Sequence, residues 1–212
     1  MVALATLIGD VVGSRRLADR DALHRLLVEA LTRVNDELDP VTPLRVTVGD
    51  EYQGAFAAVG DATRATLRLR LLLAPEVDVR HGIGWGEVRT LSDAPRVEDG
   101  PGWWSAREAI ERVARQQREA ARSRLRTGYL PAEDSIGAPD PAALDAALTA
   151  RDELLGRLGT VSLSVLAGML RGMSQRDLAD DLGISPSAVS QRVRRDGLAV
   201  LVDVDRSLGR VR

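Results

Sequence analysis

The 212-residue chain contains no cysteine. That excludes disulfides, thiolate metal sites and cysteine nucleophiles. Aromatic residues make up only 3%, so a core drawn from the 44% hydrophobic share must be Leu, Val, Ala and Ile. Lysine is missing as well. All 29 basic residues are arginine, which reads as codon bias in a GC-rich genome. No apolar run is long enough to cross a bilayer. The first residues run straight into a strand-like segment, with no basic stretch ahead of a long apolar one. A cytoplasmic setting without membrane contact is expected. His24 and His81 lie far apart in sequence, so a zinc site is not expected. The net charge of −2 excludes a chain that wraps nucleic acid along its length. Any contact with DNA must come from a local patch.

What is present begins with an apolar run, residues 2–10, ended by Asp10 and read as a buried strand. Leu23, Leu26, Leu27, Leu31, Val34 and Leu38 then recur at helical spacing over residues 20–38. Asp19 or Asp21 is placed to cap that helix, and Asp39-Pro40 ends it. Two short β-rich runs, 44–49 and 53–58, flank Gly49-Asp50-Glu51-Tyr52 and predict a hairpin. A second helix is expected over 61–73 and another strand over 77–85. The order β-α-β-β-α-β predicts an α+β fold of the ferredoxin-like type, with both helices on one face of an antiparallel sheet. Residues 90–101 read as loop and 103–122 as helix. Residues 131–141 read as a linker. The chain is therefore expected to divide into an α+β domain (1–130), that linker, and an all-α domain (142–212).

In the expected sheet the end of the first strand lies beside the hairpin tip, so Asp10 converges on Asp50 and Glu51. Carboxylates at a strand edge suit Mg²⁺, which takes hard oxygen ligands and shares them with phosphates. The alternative reading for each is local turn chemistry. Asp10, Asp50 and Glu51 are the candidate metal ligands. Gly13, Ser14, Arg15 and Gly49 are the candidate ligand-binding residues around them, and no residue is assigned a catalytic role.

The C-terminal segment has a second pattern. Ser174 caps a short helix, Gly183 permits a sharp turn, Ser185 caps the next helix and Pro186 suits its first position. Val189 and Val193 hold that helix down. Its open face carries Ser187, Ser190, Gln191, Arg194 and Arg195, which with Ser185 are donors and cations suited to bases and phosphates. The spacing resembles the helix-turn-helix of the sigma-factor region 4 and LuxR type. The resemblance implies double-stranded DNA as a partner and a homodimer reading two half-sites.

Asp10-Val11-Val12-Gly13-Ser14 resembles the first-strand motif of class III nucleotidyl cyclases. Gly49-Asp50 resembles the hairpin carrying the second acid of that family, and Asp50-Glu51-Tyr52 the Asp-Glu-Phe of diguanylate cyclases. Val79-Arg80-His81-Gly82-Ile83-Gly84-Trp85-Gly86 resembles the strand that follows. The resemblance departs at Val46, where adenylyl cyclases place a base-reading Lys. It departs again over Gly102–Arg107, where no Asn stands and Arg107 falls out of register. By its Ile-Gly-Asp start, Gly-Asp-Glu hairpin, Gly-Ile-Gly strand and Ala106-Arg107-Glu108-Ala109 segment, the chain is similar to the SatD family. Together these resemblances imply a DNA-binding transcriptional regulator whose cyclase-like domain senses a nucleotide with Mg²⁺. The alternatives are an active nucleotidyl cyclase or other phosphoryl-transfer enzyme, and a dimeric DNA-binding protein without a ligand.

Overall fold

The computed structural model describes residues 2–14, 19–94 and 96–212. Strand β1 (Val2–Val11) is followed by α1 (Arg20–Leu38), the β2–β3 hairpin (Thr42–Val48 and Glu51–Phe56), α2 (Val59–Leu73) and β4 (Val79–Asp93). The strand order is β2-β3-β1-β4, with every pair antiparallel. β1 is central because it is apolar on both faces. Ala5, Leu7 and Val11 meet α1 and α2, while Leu4 and Ile8 meet a third helix, α3 (Pro101–Gln116), on the other side. A strand covered on both faces loses the polar alternation of a half-exposed one, and the run over 2–10 reflects this.

Asp19 caps α1, accepting the Ala22 N–H at 2.8 Å. The Asn35 side chain then bonds both the N–H and the C=O of Leu44, fixing the outer strand β2 to α1. α3 approaches β4 with backbone against backbone. A Cβ on Gly82 would collide with the carbonyl of Ala106, and one on Gly84 with the carbonyl of Gly102. The Thr6 hydroxyl donates to that same Gly102 carbonyl at 2.7 Å. Gly84→Ala is expected to destabilise by roughly 1–3 kcal/mol, since overpacking must displace a helix backbone. Thermal denaturation checks this, and an unchanged melting temperature would show that α3 is free to shift.

Residues 90–101, expected as loop, instead extend β4 to Asp93 and return as β5 (Arg96–Asp99). Much of this ribbon is exposed, so it carries no apolar alternation to read. A further short strand, β6 (Thr127–Pro131), runs parallel to β4 and was not expected. Residues 132–140 lie against the sheet, with Ala132 N–H on the Trp85 carbonyl (2.7 Å) and Trp85 Nε1–H on the Ile136 carbonyl (3.1 Å).

The helices that follow are α4 (Pro141–Leu155), α5 (Thr160–Leu170), α6 (Gln175–Leu182), α7 (Pro186–Arg195) and α8 (Leu198–Leu208). They share the core of the sheet portion. Leu144, Leu148 and Leu208 belong to the main core, and Leu67 of α2 sits in the second core with Leu166, Leu178 and Leu201. The C-terminal helices thus pack on α2. The local turn chemistry follows the sequence reading. Ser174 and Asp177 form a capping box, Gly183 is left-handed, and Ser185 caps α7.

Candidate functional site

Residues 10 and 80 are cross-strand partners in the β1–β4 register, on the face that α3 covers. Arg80 donates from its terminal nitrogen to Asp10 Oδ2 at 2.8 Å, and its Nε lies 2.7 Å from Oδ1 without hydrogen-bond alignment. Gln117, just past α3, accepts from Arg80 (3.2 Å) and donates to the Leu125 carbonyl (2.6 Å). The hairpin tip reaches the same edge. Asp50 Oδ2 accepts the Val11 N–H at 3.2 Å, which places its carboxylate one peptide from Asp10. Gly49 adopts φ 63°, the left-handed turn that brings Asp50 round. Arg20, the first residue of α1, donates to the Ser14 carbonyl (3.2 Å) and lies 3.7 Å from Asp50.

Glu51 takes another direction. Arg107 of α3 grips both its oxygens, at 2.7 and 2.6 Å. Among the described residues no group of three or more acidic or histidine side chains is disposed to hold a metal. Of the three expected metal ligands, Asp10 and Asp50 lie at the same edge and Glu51 is held by Arg107. Gly13 and Ser14 lie in the turn after β1, and Gly49 in the hairpin. Arg15 lies outside the described residues.

Burial is the main cause that raises the Asp10 pKa. Arg80 opposes it, and the carboxylates of Asp50 and Glu51 push it further up. Asp10 Oδ1 is buried and faces the Arg80 Nε at 2.7 Å. A crowded acidic edge fits a hard cation, and arginines beside it fit phosphate oxygens. The hydrogen bond to Glu51 raises the Arg107 pKa, so that side chain remains a cation throughout.

Behind this edge, on the α1–α2 face, the Tyr52 ring lies across Gly9 and its hydroxyl is 2.7 Å from His81 Nε2. Burial holds His81 well below its usual pKa, hence neutral, and raises Tyr52. The pair fills the floor under Asp10.

Arg20, Arg80 and Arg107 did not enter the sequence-derived site. Arg80 was legible in principle, since two antiparallel neighbours place residues of one parity on one face. Arg107 was discounted by motif register, yet the helix phase of α3 delivers it to Glu51.

The C-terminal candidates are placed as follows. Ser185 accepts the Ala188 N–H at 3.1 Å and lies 2.9 Å from the Ser187 hydroxyl. Ser187, Gln191, Arg194 and Arg195 are exposed, and Ser190 is half-buried. Arg195 is paired with Asp196 at 2.7 Å, and Asp196 in turn accepts from Ser162 at 2.6 Å.

Fold and edge together define an α+β sheet protein with a carboxylate pair at the end of its central strand. The SatD family model matches residues 4–207, and the chain belongs to the SatD family. No curated protein matches it. Similar solved structures include a bacterial light-regulated adenylyl cyclase, at TM-score 0.48 and 14% identity, over 60% of this chain and 43% of that one. The chain thus spans under half the length of that relative. Others are the guanylyl cyclase domain of the RhoGC fusion protein from Blastocladiella emersonii (TM-score 0.44, 15% identity, 52% and 75% covered) and the adenylyl cyclase CyaB from P. aeruginosa (0.41, 16%, 52% and 71%). At these scores the likeness is one of chain path.

The expectation of a DNA-binding transcriptional regulator is corrected. The family model runs unbroken through sheet and C-terminal helices, which share a core with α2. Residues 175–208 carry five arginines against six aspartates, so the helical segment has no net positive charge. Among the described residues no helix is long and apolar enough to cross a membrane.

Proposed function

We propose that the chain binds a nucleoside triphosphate with a divalent cation at the Asp10–Asp50 edge and performs phosphoryl transfer there, as a nucleotidyl cyclase or a related enzyme. The observation that carries this reading is the Asp50 carboxylate on the Val11 N–H, one peptide from the Asp10 carboxylate that Arg80 holds. We read the β1–β4 portion as ferredoxin-like, supported by its order β2-β3-β1-β4. Asp10 and Asp50 would hold Mg²⁺, which when bound neutralises phosphate charge. Arg107 and Arg20 bring cations to the rim, where a triphosphate needs them. Glu51 keeps Arg107 in place until phosphate oxygens compete for it. The setting is cytoplasmic, where nucleoside triphosphates are available. A homodimer is part of the reading, supported by exposed Leu91, Val97 and Trp104.

The test is incubation of the full chain with ATP and with GTP, each with Mg²⁺ or Mn²⁺. Chromatography then resolves cyclic and linear nucleotide products, pyrophosphate and phosphate. Both nucleotides are needed because Val46, at the position where adenylyl cyclases carry their base-reading Lys, packs against the core. Product dependent on Asp10 and Asp50 is expected, and sedimentation in parallel reports the dimer. The absence of both product and calorimetric nucleotide binding would remove the proposal.

A further inference from the structure

A second charged site lies away from the Asp10 edge, where the C-terminal helices meet the sheet. Asp152 of α4 is fully buried. It accepts from Arg70 of α2 at 2.7 Å, and from the N–H groups of Arg126 and Thr127 at 2.8 and 2.6 Å. Arg151, 1% exposed, lies 3.4 Å from the same carboxylate and spends its other donors on Thr63, Thr66 and Thr127. Two buried guanidiniums therefore share one buried carboxylate. The excess continues outward. Arg126 pairs with the half-exposed Asp78 at 2.6 Å, and Arg124 shares Glu153 with Arg157. Five arginines face three carboxylates in this cluster. A buried charge without a full partner costs several kcal/mol.

Beside this cluster lies a cavity of about 210 Å³. Arg70, Arg124 and Arg126 line it together with the Asp78 carboxylate, Leu158 and Leu163. The Arg70 side chain is 9% exposed, and Asp152 is its single recorded side-chain partner among the described residues. Burial lowers the Arg70 pKa, and Arg151 and Arg126 add to this while Asp152 and Asp78 oppose.

We infer that this cavity is a binding site for a phosphate group, either free or carried as a monoester by a small molecule. Guanidinium forks match phosphate oxygens in pairs, and three of them converge here from α2 and from the segment ahead of β6. The volume suits a phosphoryl group with a few attached carbons. The rim touches the Asp10 edge through one hydrogen bond, since the Asp78 carbonyl accepts the Val12 N–H at 2.8 Å. The inference stands independently of the nucleotide reading.

The test is calorimetry and thermal denaturation of the full chain with inorganic phosphate and with glycerol 3-phosphate, against sodium chloride at matched ionic strength. Saturable stabilisation by phosphate is expected. Arg124→Gln, at a half-exposed position, is expected to weaken it about tenfold, and Arg124→Gln/Arg126→Gln to remove it; losing one charge-assisted contact is of that order. Asp10→Asn is expected to leave it intact. Tighter binding of glycerol 3-phosphate than of phosphate assigns the monoester, and the reverse assigns the free ion. The inference is overturned if phosphate acts no differently from chloride. It is also overturned if the double variant keeps the effect, or if Asp10→Asn loses it.

Discussion

Asp10→Asn is expected to raise the melting temperature of the cation-free protein while reducing turnover at least about a hundredfold. The two effects share one cause. Burial, with help from the Asp50 and Glu51 carboxylates, holds the Asp10 pKa above its usual value. A carboxyl whose pKa is raised on folding binds its proton more tightly folded than unfolded. It therefore contributes stability that is complete below the unfolded-state pKa and lost as pH rises through the folded one. At neutral pH the wild type carries a poorly solvated negative charge, and the Asn variant does not. Asn keeps an oxygen for the 2.8 Å bond from Arg80. The gain should vanish at about pH 3, where the wild-type carboxyl is protonated as well. It should also reverse on adding Mg²⁺ or Mn²⁺, which stabilises only the protein that binds it. Denaturation curves at both pH values, with and without cation, check this. A variant less stable than wild type at neutral pH would mean that the Arg80 pair outweighs burial.

Asp152→Ala should be the most damaging single substitution in the structural framework, with a loss of about 3–5 kcal/mol. It strands Arg70 and Arg151 as buried cations and frees the Arg126 and Thr127 N–H groups that start β6. The melting temperature should fall by roughly 10 °C in a chain of this size. Because Arg70 is on α2 and Asp152 on α4, the variant also loosens the joint between the sheet and the C-terminal helices. Denaturant titration with an unchanged slope but a lower midpoint would report lost stability alone. A shallower or two-step transition would report that the joint had separated.

The elements legible in the sequence are those with strong local signals. α1 appears at residues 20–38 with its Asp19 cap, and the hairpin turns at Gly49-Asp50. The capping box of α6 and the left-handed Gly183 follow the same logic. Elements without such signals were missed. β6 is five residues long and has its place only because β4 offers an edge and Asp152 ties down its first N–H groups. The β4–β5 ribbon is mostly exposed. In the site, Asp10 and Asp50 were found from turn position and resemblance, whereas their arginine partners were not. Cross-strand register and helix phase place Arg80 and Arg107, and neither is written in any local stretch of sequence.

The sequence by itself determined the helices and strands from β1 to the start of β4, the positions of the acidic residues at their ends, and the absence of thiol chemistry. These rest on short-range rules: periodicity, caps and turns. Only the tertiary structure decided that Glu51 belongs to Arg107 while Asp10 and Asp50 converge. It also decided that the C-terminal helices share a core with α2, and that buried arginines outnumber the carboxylates around Asp152. Those are facts about which side chains meet across long sequence separations. Burial then sets the energy of each meeting, because a charge removed from water is stable only beside the partner the fold supplies.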